Sequence, residues 1–154
     1  MKTKLLLSLV PVLLLFAGCS TSSRQFVAYP DQEKVVEDAG KARIYIFRKE
    51  DSYRGQYPVL VVEGEKEIGE LGTGGWLCWE RAPGVRQVRL VLRRGGLEPK
   101  NWAGYSTAEG REGVARHYLV EITVTDSTPK MKEITPAHAA ILLREGNAPA
   151  VGQD

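Results

Sequence analysis

The sequence predicts a mainly β protein, an antiparallel β-sandwich of about seven strands with a short C-terminal α-helix. Three observations carry this expectation. From residue 42 onward, β-branched and aromatic residues recur at every second position, the period of a strand. Gly, Pro and polar clusters interrupt that pattern at intervals of about eight to twelve residues, as between the strands of a sandwich or barrel. After the last such stretch, one segment carries both a helix start and a helix stop.

The elements follow in order. In ARIYIFR, residues 42–48, Ile44 and Ile46 face one way and Arg43, Tyr45 and Phe47 the other. PVLVVE, 58–63, is a second strand, and EGEK turns the chain around Gly64 into EIGEL, 67–71, making a hairpin. GTGG, 72–75, connects to WLCWER, 76–81, and Pro83 with Gly84 turns the chain again. RQVRLVLRR, 86–94, sets Val88, Leu90 and Leu92 on one face against Arg89 and Arg93, with Val91 among the polar side. The loop GGLEPKNWAG leads to a short strand over Tyr105–Ala108. Beyond the turn EGREG, ARHYLVEITVT carries the stripe Tyr118, Val120, Ile122 and Val124, and KMKEIT is the last strand. In TPAHAAILLREG, Thr135 suits the N-cap, Pro136 the first helical position and Gly146 the stop. A helix this short is marginal alone and must dock Ile141, Leu142 and Leu143 on the sheet. Each sheet is expected to have one apolar and one solvated face.

The N-terminus has a different grammar. MKTK is positive, and Leu5–Phe16 is apolar apart from Ser8, a run of 12 residues that includes Pro11. Crossing a bilayer takes about 20 residues, so this reads as a secretory signal peptide. Its end, Phe16-Ala17-Gly18-Cys19, resembles a bacterial lipobox, with Phe16 where that pattern favours Leu. Small Ala17 and Gly18 let a protease reach the backbone, and the thiol of Cys19 is a nucleophile for a diacylglyceryl group. The resemblance implies cleavage before Cys19 and acylation of its new amine. Three acyl chains hold far more firmly than the single chain that binds only marginally. Ser20 follows, where Asp would favour retention in the inner membrane, so the periplasmic leaflet of the outer membrane is the expected address. The chain thus divides into a signal peptide, 1–18; the lipidated cysteine and a tether, 19–40; the sandwich, 41–146; and a flexible tail, 147–154. Within the tether, DQEKVVEDAG reads equally as a short helix stopped at Gly40 and as a disordered spacer.

Strand motifs ARIYIFR, VEGEKEIGEL, PGVRQV and HYLVEI together resemble a family of small bacterial lipoproteins whose shared domain has no known function. The resemblance covers about residues 40–145. Trp76-Leu77-Cys78-Trp79 departs from the aromatic pair usual after the Gly-Gly turn. The resemblance implies an envelope lipoprotein and supplies no catalytic residue.

Charge and motif readings narrow the function classes. Without Lys2 and Lys4, 19 basic residues face 19 acidic ones. That balance gives no electrostatic reason for nucleic acid or a polybasic membrane patch. The two histidines and one mature thiol besides Cys19 have no metal-ligand spacing, and GTGG lacks the Lys-Ser/Thr ending of a phosphate loop. Glu63, Glu65, Glu67 and Glu70 read as a solvated hairpin edge. No cofactor is expected. Cys78, between Trp76 and Trp79, reads as a packed small hydrophobe; its enzymatic alternative needs His117 or His138 as a base. Tyr53, Arg54 and Tyr57 in the 50–58 loop, and Trp102 in the 93–104 loop, are the candidate binding residues, since Tyr, Trp and Arg dominate recognition surfaces. The expected function is a lipid-anchored, periplasm-facing, non-catalytic module contacting an envelope protein or glycan. An envelope enzyme and a small-ligand binder, using Cys78 or these loops, are the alternatives.

Overall fold

A computed structural model describes residues 21–34, 36, 40–93 and 102–152. Ten strands and one helix lie along it: β1 Arg24–Gln25, β2 Ala42–Arg48, β3 Val59–Glu63, β4 Lys66–Leu71, β5 Trp76–Arg81, β6 Gly84–Leu92, β7 Ala103–Gly110, β8 Ala115–Glu121, β9 Lys130–Glu133, α1 Pro136–Glu145 and β10 Ala150–Val151. They form two sheets, ordered β10-β1-β4-β3-β6-β7 and β5-β2-β8-β9. The fold is mainly β and sandwich-like, as expected. The sheets are mixed rather than antiparallel: β2 pairs β8 and β1 pairs β10 in parallel. Chain routing is the cause. Between β2 and β8 the chain twice crosses to the larger sheet, so the turn after β7 delivers β8 at the end where β2 begins, with Gly113 N–H donating to Lys41 O.

Alternation put the right residues inside. Ile44, Ile46, Val59, Val61, Leu77, Val88, Leu90, Leu92, Tyr118 and Val120 fill the space between the sheets. The expectation of a solvated outer face fails for the smaller sheet. There Tyr45, Phe47, Trp76, Cys78 and Leu119 form a second core under α1, with Tyr29 packed against it. Such a surface is too apolar to leave wet. Val91 belongs to a third cluster with Leu60 and Val62, covered partly by Phe26.

The helix is capped as read: Thr135 Oγ1 accepts from His138 N–H at 3.3 Å and Gly146 N–H donates to Leu142 O at 2.8 Å. Its docking stripe is Ala139, Leu142 and Leu143, spaced i, i+3, i+4. Ile141 falls off that stripe and is 45% exposed. At β8 the strand stops at Glu121, because Thr123 Oγ1 accepts from Asp126 N–H and turns the chain. Val124 therefore lies 74% exposed, outside the predicted stripe.

The two ends of the domain differ most from expectation. Residues 21–34 are not a tether. Ser23 and Gln25 are buried, and Ser23 Oγ accepts from Gly72 N–H at 3.0 Å. Gly72 permits this approach: a Cβ there would stand 1.8 Å from Thr21 O. Gln25 then reaches from the larger sheet to β5, the edge strand of the smaller one. Its side chain accepts from Cys78 N–H at 3.0 Å and donates to Cys78 O at 2.6 Å. A carboxamide has the donor and acceptor of a peptide group, so it substitutes for a neighbouring strand at one residue. From there the chain crosses the outer face of the smaller sheet, where Tyr45 Oη donates to Gln32 Oε1 at 2.7 Å and Arg43 donates to Lys34 O at 2.9 Å. Asp31–Lys34 bends rather than forming the first turn of a helix; Val35 and residues 37–39 of that expected helix lie outside the described residues. The tail is not loose either: Ala150 N–H donates to Ser23 O and Gly152 N–H to Gln25 O, both at 3.0 Å. Only Gln153 and Asp154 of it lie outside the described residues.

Strand directions set which loops share an end. β2, β4, β6 and β8 finish at the end where β3, β5, β7 and β9 start. β1 begins there too, since Arg24 pairs with Glu70 near the close of β4. The chain entry, the 49–58 loop, the 72–75 turn and the 122–129 turn thus lie at one end of the sandwich.

Replacing Gln25 by Leu strands two buried backbone groups at about 1–3 kcal/mol each. We expect a loss of about 2–6 kcal/mol in denaturant unfolding measurements. A change under about 0.5 kcal/mol, typical of surface sites, would refute the bridging role.

Candidate functional site

The last residue of β2 organises the chain-entry end. Arg48 is 1% exposed, and its guanidinium is satisfied by the loop that follows. It donates to Ser52 Oγ at 3.1 Å, Tyr57 O at 2.7 Å, Arg54 O at 3.1 Å and Leu71 O at 3.4 Å. Burial pushes its pKa down to about 10. The charge persists because carbonyl dipoles replace its lost water. The 49–58 loop is therefore wrapped around a buried cation, not merely strung between strands. Sequence reasoning passed over Arg48; the available signal was an Arg closing a strand of otherwise apolar character, directly before a loop rich in polar residues.

That wrapping places the four candidate residues together. Arg54 adopts a left-handed backbone, φ 58°, uncommon for a side chain of its size. Its guanidinium lies 4.3 Å over the Trp102 ring and 5.3 Å from the Tyr53 ring, while Tyr57 and Trp102 rings sit 6.1 Å apart. Two loops that are distant in sequence thus form one cation–π cluster. Tyr57 and Trp102 also pack on the inter-sheet core, so their roles are partly structural. Tyr53 is the outward member, 38% exposed. Of the remaining 93–104 loop, Arg93 is held by Glu70 at 3.0 Å, and residues 94–101 lie outside the described residues. Ring faces, a phenol and a guanidinium suit contact with a polar–apolar boundary. Thr21 Oγ1 donates to Gly55 O at 3.1 Å and accepts from Thr73 N–H at 3.3 Å, fixing the chain entry to this loop.

Cys78 lies elsewhere, on the outer face of the smaller sheet. It is fully buried, and Gln32 Nε2 approaches its Sγ at 3.7 Å. Burial pushes its thiol up to about 12, against smaller opposing effects from Tyr45 and Gln32. His117 is on the same face, but Tyr45 stands between them. Cys78 pairs with Tyr45 across β5–β2, and Tyr45 with His117 across β2–β8, its ring stacked 5.2 Å from the imidazole. Two strand spacings separate thiol and imidazole by about 10 Å, beyond proton-transfer reach. Burial also holds His117 below the usual histidine value, against the opposing charge of Glu133. His138 is on α1, beside a depression of about 340 Å³ floored by Phe47 and Leu142. That volume is at the lower limit of small-molecule sites.

Cys19, the lipidation candidate, lies outside the described residues. Among the described residues no helix is long and apolar enough to cross a membrane. No protein-family model, curated protein or solved structure matches the chain.

Two measurements check the buried groups. Unfolded Cys78 loses its proton near pH 9 and folded Cys78 near pH 12, so folding is disfavoured as pH rises between them. Wild-type stability should fall by up to about 1.4 kcal/mol per pH unit there, and Cys78→Ala should remove that slope below the range where tyrosines titrate. A maleimide should label Cys78 only at the global unfolding rate; rapid labelling of folded protein contradicts the burial. Arg48→Met strands the carbonyls of Arg54, Tyr57 and Leu71. Expected are a loss of about 3 kcal/mol and faster chymotryptic cleavage after Tyr53, the cleavable aromatic of the loop, since Pro58 protects the bond after Tyr57. Unchanged cleavage would show that Arg48 does not hold the loop.

Proposed function

We propose that the chain is a lipid-anchored lipoprotein of the bacterial envelope, its folded body a non-catalytic structural or interaction module facing the periplasm. The observation that carries this is the leader: a positive start, 12 residues that are apolar apart from Ser8, and Ala17-Gly18 ahead of Cys19. The start of the folded body supports it. Ser23 and Gln25 are built into the sandwich, so cleavage before Cys19 keeps both in the mature chain, whereas cleavage beyond Gln25 would leave Cys78 unpaired at the sheet edge. Three acyl chains on Cys19 then fasten the body to a bilayer. Ser20, in place of Asp, favours the periplasmic leaflet of the outer membrane. The strand motifs that resemble small envelope lipoproteins agree with this placement. The Cys-dependent enzyme is disfavoured by a thiol that is buried, pushed up in pKa and screened from His117 by Tyr45.

Cells fed labelled palmitate should incorporate it into the wild-type chain and not into Cys19→Ser. Globomycin, which blocks the lipoprotein signal peptidase, should make uncleaved precursor accumulate. A mature N-terminus lacking acyl mass, or processing indifferent to globomycin, would end the reading.

A further inference from the structure

We infer that the chain-entry end of the sandwich rests on the bilayer that holds Cys19, with Tyr53 and Val124 as its apolar contacts at the headgroup boundary. The inference builds on the lipoprotein reading above and adds an orientation and a lipid-facing surface.

The length of the connection comes first. Thr21 is bonded to Gly55 O and Thr73 N–H, so it is part of the body, and Cys19 is two residues away. Two residues span at most about 7 Å. The interfacial zone on each side of the hydrocarbon is itself about 5–7 Å deep. A body leashed this tightly cannot stand clear of the headgroups or turn its far end towards them. A flexible tether of about 20 residues, the length expected from sequence, would have allowed roughly 25 Å of stand-off and free rotation.

What that end carries comes second. Tyr53 is 38% exposed and Val124 is 74% exposed, and both are in loops at the entry end. Tyr53 and Thr123 line one shallow depression, so the 49–58 loop and the 122–129 turn are neighbours. Tyr is enriched at membrane interfaces because its ring is apolar and its hydroxyl is wet. Arg54 keeps its guanidinium over the Trp102 ring and beside the Tyr53 ring, which steadies Tyr53 at this end. The opposite end also exposes apolar groups, Val85 at 68% and Val114 at 43%. Exposure alone therefore does not choose between the ends; the point of chain entry does.

Charge comes third. Lys49 and Arg54 are offset by Glu50 and Asp51 in the same loop, and Lys130 lies 2.7 Å from Asp126. Contact should not require anionic lipid.

The test uses the full-length chain, processed and lipidated in cells, in vesicles of phosphatidylethanolamine with a minority of phosphatidylglycerol. Fluorophores go on exposed positions that leave Tyr53 and Val124 intact: Gln56→Cys and Thr125→Cys at the entry end, Glu65→Cys and Glu112→Cys at the far end. Strands of 7 residues separate these pairs by about 20 Å, enough for short-range quenching to tell them apart. Nitroxide-headgroup lipid should quench the entry-end probes several-fold more than the far-end probes. Combining Tyr53→Ser with Val124→Ser should weaken that quenching. Equal quenching at both ends, in a sample whose mass shows acylated Cys19, overturns the docking and leaves the anchoring intact. Concentration-dependent self-quenching at Gln56→Cys without lipid quenching assigns the face to a second copy of the chain and also overturns it. A sample with no acyl mass that does not float with vesicles overturns both readings.

Discussion

The Gln25 carboxamide is hydrogen-bonded to both backbone groups of Cys78, and from that pairing the placement of the N-terminal segment follows. An edge strand leaves N–H and C=O groups open, and in a buried position each must find a partner. β5 is the edge of the smaller sheet, and its Cys78 is fully buried. Gln25 closes that edge from a strand of the other sheet, so it also ties the two layers together. Once Gln25 is fixed, Ser23 and Thr21 are drawn onto the 72–75 turn and the 49–58 loop, and β10 pairs alongside β1. A segment whose polarity suggested a leash is instead part of the clasp.

Further polar ties between the sheets work by the same rule. Arg81, on β5, lies 2.6 Å from Glu63 Oε1 on β3 and also donates to Ala108 O on β7 at 2.9 Å. Burial raises the Glu63 pKa in spite of that cation, which shows how costly the dry environment is for charge. Tyr118 Oη accepts from Glu109 N–H at 2.9 Å and donates to Glu109 O at 3.2 Å, joining β8 to β7. Apolar side chains fill the space between the layers without direction, while these polar ties fix how one layer sits on the other. Arg48 applies the rule to a loop, using carbonyls where Arg81 uses a carboxylate.

Alternation made most strands legible, because a residue facing a packed layer must be apolar and its neighbour faces the other way. Ile44 and Ile46 against Tyr45 and Phe47 were read correctly as two faces. That the helix docks on a sheet was legible, but not that it covers the outer face of the smaller one together with Tyr29, which is distant from it in sequence. The parallel pairing of β2 with β8 escaped for a related reason: period two says nothing about which strand is the neighbour or which way it runs. Gln25 sits in the polar run STSSRQ, where composition points to solvent, and only a partner 53 residues away makes it a core residue. Val124 was misassigned because the alternation continues past Ile122 into TVTDSTP, where Thr, Asp, Ser and Pro already signal a turn. The Tyr53, Arg54, Tyr57 and Trp102 positions were found as residue types in two loops. Their meeting depended on the buried Arg48 and on the strand order that sets β7 beside β6.

Two exposed groups would not by themselves hold a free protein on a membrane. Burying a side chain the size of Val or Tyr contributes about 2 kcal/mol, and two of them together reach only the millimolar range. On the proposed leash of about 7 Å from an acylated Cys19 the second contact would become intramolecular, and weak apolar preference would be enough to select one orientation. Rigidity then matters more than affinity. A floppy 49–58 loop would lose its ordering entropy at each contact, whereas one already wrapped around Arg48 has little left to lose. With Cys19 acylated as proposed, the buried cation, the short lead from that residue and the offset charges of the loop would act together, so that geometry near the anchor rather than charge across the body would set the orientation.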